Sequence, residues 1–233
     1  MRSTRAAKGD CERVNYNLQF RDIFAQSDLL LDGLVLTLEL SLVTMVVGLV
    51  IGIAGAAARV YGPDWLRRPV AVYVETIRNT PLIVQLFLIF FGLPSAGIKF
   101  DANTAAFVAL SINLGAYSIE IVRAGLEAIP RSQIEAGQSL GLSRLQIFRY
   151  VIIFPALKLM YPSLASQFVL LMLATSVVSQ ISAQDLFHAA SIIQSRTFRD
   201  FEVYILVAAA YLALALVFRL IFAGIYQIVF ARR

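Results

Sequence analysis

RSQIEAGQSLGLSRLQIFRYVIIFP, from Arg131 to Pro155, is the longest polar interruption in the last two thirds of an otherwise apolar chain. Glu135-Ala136-Gly137 is followed by Gly141, then by Leu142-Ser143 and a helix-period run, and finally by a proline that opens the next apolar stretch. Ile134, Leu140, Leu142, Leu145 and Phe148 recur as they would on a surface helix with one apolar face. Glycine costs a helix interior about 1 kcal/mol relative to alanine, so Gly137 and Gly141 weaken this helix in isolation. A glycine here serves either the close approach of a partner backbone or a bend. Ser143 is a residue type that caps helix N-termini. The stretch therefore reads as helix, break at Gly141, second short helix.

On either side the chain turns apolar. The 233 residues are 59% hydrophobic, with mean hydropathy +0.75. Soluble domains use apolar residues for about half of their length. Runs long enough to cross a bilayer as a helix, which needs about 20 residues, fall at roughly 34–58, 70–91, 104–122, 156–178 and 202–222. The expected architecture is all-α: a polar tail over 1–28 and one membrane domain over 29–230 with about five spans, the polar loop occupying about 124–154. The tail carries no apolar core with a cleavage site, so no secretory signal peptide is expected. The net charge of +5 is that of basic loops beside a membrane rather than of a nucleic-acid surface. One cysteine, Cys11, excludes an intrachain disulfide, and one histidine, His188, excludes a His-rich metal site.

Within the spans, polar residues are the informative ones. Gly48, Gly52 and Gly55 are spaced four and three apart, a spacing that lets helix backbones approach. Glu39 lies near one end of the first span and should face protein or water. Glu75 and Arg78, and likewise Glu120 and Arg123, stand three apart and share a helix face, so each pair is expected to neutralise itself. The fourth span carries a stripe of Ser163, Ser166, Gln167, Thr175, Ser176, Ser179 and Gln180. Such groups either bond within their own bundle or line a path.

Two motif regions resemble one family. The Glu135-Ala136-Gly137, three residues, Gly141 pattern resembles the cytoplasmic signature loop of permease subunits of binding-protein-dependent ABC importers. There Gly137 stands for the usual alanine, and Phe154 for the usual proline, with Pro155 one place later. The stretch from Tyr73 to Pro94 resembles the second helix of the polar amino acid permeases at Tyr73, Glu75, Arg78, Thr80, Pro81, Leu82 and Gln85. Ala116, Tyr117, Glu120 and Arg123 match that subfamily too. Many relatives carry Lys-acid-Thr-Ser where this chain has Leu173-Ala174-Thr175-Ser176, so no acidic group there holds a cationic side chain.

The resemblance implies a type I importer permease of the bacterial inner membrane that moves polar amino acids. It implies coupling through Glu135, Ala136, Gly137, Gly141, Leu142 and Ser143 to a separate ATPase present in two copies. It also implies a second permease of the same or similar chain and a soluble substrate-binding protein that touches the segment ending at Ser195-Arg196-Thr197-Phe198. ATP and Mg would sit on the ATPase, with no cofactor or metal on this chain. Gln85, Asn113, Tyr117, Gln167, Thr175 and Ser176 are the candidate pathway residues. The loops around the signature are richer in Lys and Arg than the opposite ones, which puts the N-terminus outside and the C-terminus in the cytoplasm. No phosphate loop and no nucleophile–base constellation is legible, so the chain is a transport subunit rather than an enzyme. The rival classes are an ion-coupled secondary transporter, which would show paired repeats, and a structural subunit without a path.

Overall fold

The computed structural model describes residues 17–231. Cys11, most of the polar tail and the closing Arg232 and Arg233 lie outside the described residues. Those described contain helices and no strand. In chain order they form α1 (Arg21–Phe24), α2 (Ser27–Tyr61), α3 (Asp64–Arg78), α4 (Leu82–Phe87), α5 (Ala102–Glu127), α6 (Arg131–Ser139), α7 (Arg144–Gln146), α8 (Ile153–Ala174), α9 (Leu186–Thr197) and α10 (Asp200–Tyr226). Four helical stretches are long and apolar enough to cross a membrane: Ser27–Tyr61, Ala102–Glu127, Arg144–Ile181 and Asp200–Phe230. Each outruns the corresponding hydropathy run, because a helix continues into polar surroundings that a hydropathy window does not count.

The centre of the bundle is α2 against α5. A Cβ built at Gly48 would lie 2.6 Å from the Leu114 side chain, and one at Gly115 would lie 2.7 Å from Ile51. Gly52 faces Ser118 and Gly55 faces Ile119 just as closely. In lipid, helices gain little from apolar burial and associate by packing, which these small residues permit. The window of α5 that would span the membrane is 61% buried by its own chain.

The second apolar run, expected as one span over 70–91, is two helical pieces, Asp64–Arg78 and Leu82–Ala96, bent by 108°. The cause is local. Pro81 has no N–H to give to the Ile77 carbonyl one turn back. The side chain of Gln85 supplies the missing donor, with Nε2 2.8 Å from the Ile77 oxygen and 3.0 Å from the Thr80 oxygen. Prolines farther along leave a milder mark. Wide π-type turns over Leu88–Gly92 and Ile147–Ile152 come just before Pro94 and Pro155, where a proline removes one bond from the ladder.

Opposite the α6–α7 end, α9 lies across the bundle. Asp185 caps α9, accepting from the His188 N–H at 2.9 Å, and its other oxygen accepts from the Tyr211 hydroxyl at 3.2 Å. The Leu186 N–H donates to Thr37 Oγ1 at 3.1 Å, and Gly33 lets the Asp185 backbone approach α2. The expected tail over 1–28 is structured from residue 17 onward. Ile23 of α1 is fully buried, the Gln19 N–H donates to Glu202, and Arg196 donates to Gln26.

Candidate functional site

The polar stretch forms a hairpin whose every turn has a residue-level cause. The helix α6 ends in a Schellman arrangement: the Gly141 N–H donates to the Gln138 carbonyl at 2.9 Å and the Leu142 N–H to the Gly137 carbonyl at 3.1 Å. Gly141 takes φ +75°, a left-handed conformation that side chains disfavour. Ser143 then starts α7 with a reciprocal capping box, its backbone N–H donating to Gln146 Oε1 at 2.8 Å. The expected helix, break at Gly141 and second helix are all present. Gly141 marks the bend, and its missing Cβ faces open space. Gly137 is instead buried against its own chain, where a Cβ would lie 3.2 Å from Ile147.

The hairpin presents apolar surface to solvent. Leu140 is 81% exposed and Leu145 is 75% exposed. Glu135, Ala136 and Ser143 are exposed as well, and Leu142 is half-buried. Two connections tie this surface to the bundle. On one side, Ile129 buries the link back to α5. On the other, the winding runs unbroken from Arg144 to Ile181. The helices α5 and α8 meet each other at Gly125, where a Cβ would lie 2.9 Å from Met160.

The same two helices, with the α3–α4 elbow, enclose a polar groove. One cavity of about 510 Å³ is lined by Arg78, Asn79, Thr80, Pro81, Asn113, Tyr117 and Gln167, among others. A second, of about 400 Å³, shares Arg78, Tyr117 and Gln167 and adds Glu120 and Ser163. Of the six pathway candidates, Asn113, Tyr117 and Gln167 thus come together. Gln85 lies behind them with its amide committed to the elbow, and its oxygen accepts from Asn113 Nδ2 at 3.0 Å. Thr175 and Ser176 donate to the Met172 and Leu173 carbonyls of their own helix, at 2.7 and 2.8 Å, and line neither cavity.

The two expected charge pairs have different fates. Glu120 and Arg123 are joined, and Arg59 at the end of α2 reaches Glu120 Oε2 at 3.1 Å while Arg123 also bonds Glu127. Glu75 and Arg78 are not joined. The elbow ends α3 just beyond Arg78, and Asn79 Nδ2 turns back to donate to Glu75 at 3.1 Å. Arg78 leaves its own helix instead, and its guanidinium carbon sits 5.5 Å from the centre of the Tyr117 ring.

Some functional groups were not singled out from sequence. Arg59 reads as a loop arginine, and Thr37 as an incidental hydroxyl in an apolar run. Asp185 carried a weak signal, an acid three residues before His188 at a helix start. Its carboxyl is fully buried, and burial pushes its pKa up to about 6 against the opposing pull of the His188 N–H and the Tyr211 hydroxyl. Among the described residues, no group of three or more His, Cys, Asp or Glu is placed to hold a metal ion.

Comparison with known proteins bears on this geometry. The family described as "Binding-protein-dependent transport system inner membrane component" matches residues 48–233. The chain is 40% identical over 192 residues to the glutamine transport system permease protein GlnP of Escherichia coli (strain K12), covering 81% of this chain and 87% of that one. It is 36% identical over 197 residues to the probable glutamine ABC transporter permease protein GlnM of Bacillus subtilis (strain 168), covering 83% and 90%. A crystal structure of an amino acid ABC transporter with histidines superposes with TM-score 0.85 at 36% identity, over 91% of this chain and 99% of that one. The inward-facing MetNI methionine ABC transporter, at 22% identity and TM-score 0.74, shares the fold.

Proposed function

Because this chain belongs to the family of binding-protein-dependent transport system inner membrane components, as a permease subunit of an amino acid ABC importer, we propose that the groove beside Tyr117 is its half of the substrate path and that the α6–α7 hairpin docks a separate ATPase. One observation carries this reading: the two helices from which the hairpin hangs, α5 and α8, are also walls of the groove. A push on Leu140 and Leu145 is delivered through the continuous winding from Arg144 to Ile181 to Ser163 and Gln167. Packed helices have discrete arrangements, so such a push switches the groove rather than deforming it smoothly.

The ATPase would be present in two copies and would hold ATP and Mg, with Glu135, Ala136, Gly137, Gly141, Leu142 and Ser143 forming or shaping the docking surface. A second permease, the same or similar, would complete the path. A soluble binding protein would deliver the substrate at the α9 end, which places the N-terminus outside and the C-terminus in the cytoplasm. The substrate would be a polar amino acid or close derivative, contacted by Asn113, Tyr117 and Gln167. The test is to tag the chain in its native host, solubilise it gently and identify what copurifies. An ATPase subunit near one-to-one supports the reading, and a second permease, present or absent, decides between pairing with a similar chain and with itself. Recovery of the chain alone, with uptake that collapses when the ion gradient is removed, would overturn it.

A further inference from the structure

After Glu202, the only charged residue of α10 is Arg219. It is exposed and, among the described residues, has no hydrogen bond or ion pair. A charged side chain at membrane depth is costly unless it finds a partner or reaches the surface. Arg219 lies roughly 28 Å along the helix axis from Asp200, close to the thickness of the hydrocarbon core, about 30 Å. That is the level at which lipid phosphates begin. Tyr161 and Tyr226, with ring centres 5.8 Å apart, mark the same level, since tyrosine favours the boundary between membrane and water.

The arginine opens onto a cleft between α8 and α10. This cleft, of about 400 Å³, is lined by Arg219, Ser166, Tyr161, Tyr226 and Gln227 among others, and by no acid among the described residues. Lys158 is exposed three and four residues before Tyr161 and Pro162, so helical spacing places a second cation on the same face of α8. The Tyr161 hydroxyl donates to the Phe222 carbonyl at 2.8 Å, which ties the two helices together at the cleft. A second cavity, of about 470 Å³, adjoins it between α2, α5 and α8, and apolar and aromatic side chains line it throughout. Tyr161, Ala165 and Phe222 line both. A cationic mouth thus adjoins an apolar hollow, which is the polarity of a phospholipid from headgroup to acyl chain.

We propose that this cleft binds an anionic phospholipid. The Arg219 guanidinium takes the phosphate through paired N–H bonds, Ser166 and Gln227 supply neutral donors around it, and one acyl chain enters the apolar cavity past Ala165. Basic pockets between membrane helices bind such headgroups. A second permease seated here would have to bring an acid to Arg219 and would leave the apolar cavity behind it unfilled. One lipid molecule satisfies both. The inference goes beyond the importer reading and is independent of which substrate the groove carries.

The experiment uses the full chain with the subunits that copurify with it. It is reconstituted in nanodiscs of equal parts palmitoyl-oleoyl phosphatidylglycerol and the phosphatidylcholine with the same chains. After extraction into detergent, retained lipid is counted by native mass spectrometry. The parent is expected to retain phosphatidylglycerol over phosphatidylcholine by at least about fivefold, the effect of one basic residue at an anionic surface. Arg219→Gln is expected to lose that preference, and Arg219→Lys, which keeps the charge without the fork, to keep part of it. Ala165→Phe, which plugs the passage to the apolar cavity, is expected to lose retention of both lipids. Monodisperse elution on size exclusion separates a lost site from a misfolded chain. An unchanged preference in monodisperse Arg219→Gln would overturn the proposal and leave Arg219 a cation that only snorkels to the surface. Loss of a second permease from the Arg219→Gln assembly, with lipid retention unchanged, would overturn it in favour of a subunit contact. Failure of an ATPase to copurify would strike the importer reading instead and leave the lipid result standing.

Discussion

The helices α5 and α10 are of similar length and both are apolar enough to cross a membrane, yet their surroundings differ sharply. The spanning window of α5 is 61% buried by its own chain and that of α10 only 11%. Along α5, Ala105, Ala106, Ala109, Leu110, Leu114 and Ala116 have no exposed surface. Along α10, Leu212, Leu216, Leu220 and Ile221 are all more than half exposed. Hydropathy already separates them, at 1.6 for the α5 window and 2.5 for that of α10, and the more apolar helix is the less covered one. A further difference is in contact: α5 meets Gly48, Gly52 and Gly55 of α2 closely, whereas the glycine of α10, Gly224, faces open space. One helix is completed by its own fold and the other requires an apolar phase, lipid or a second permease, to cover it.

The comparison can be broken most severely at the α2–α5 seam. Gly52→Leu drives a branched side chain into Ser118 and should cost about 3 kcal/mol or more. Loss of monodisperse protein on size exclusion is the expected result, and a parent-like profile and melting temperature would mean that the seam is not what holds the bundle. A second probe acts where α9 is latched to α2 and α10. The carboxyl of Asp185 is raised from 3.8 to about 6 by burial, so the folded chain keeps a proton that the unfolded chain has shed in that window. The stabilisation is complete below 3.8 and disappears as pH rises through about 6, amounting to about 3 kcal/mol. Asp185→Asn cannot titrate, so the melting temperature of the parent should fall relative to that variant between pH 4 and 7. Parallel curves would show that the latch does not sense the charge.

A smaller effect on folding, with a large functional consequence, is expected at the hairpin that joins the buried α5 to α8. Gly141→Leu places a branched residue at φ +75°, a strain of about 1–2 kcal/mol. It should leave the chain inserted while uptake in reconstituted liposomes drops at least about tenfold and ATP hydrolysis continues. Normal coupling in that variant would remove the hairpin from the mechanism. Least of all, Leu220→Ala on the bare face of α10, 72% exposed, should shift the melting temperature of the solubilised single chain negligibly, within about 0.5 kcal/mol. A larger loss would show that α10 is packed more fully than its exposure implies.

Much of the fold was legible because its signals are local. Apolar runs, the Glu135-Ala136-Gly137 to Gly141 spacing and Ser143 after it act within a few residues, and the helix, bend and capped helix follow from them directly. The bond between Glu120 and Arg123 was readable for the same reason. The matching inference for Glu75 and Arg78 did not hold, although the spacing is identical, because the Pro81 break frees Arg78 to reach Tyr117 on another helix. The polar stripe of the fourth span divides in the same manner: Gln167 meets the groove, whereas Thr175 and Ser176 spend their hydroxyls on their own carbonyls.

By itself, the sequence determined the helical class, the approximate spans, the hairpin and its family resemblance, since each depends on residue type and spacing along one strand of chain. Tertiary structure alone decided the buried Asp185 latch with Thr37 and Tyr211 and the placement of Arg78 over the Tyr117 ring rather than against Glu75. Those outcomes depend on which side chains from distant helices compete for one donor or acceptor, and that competition is settled only where the helices pack.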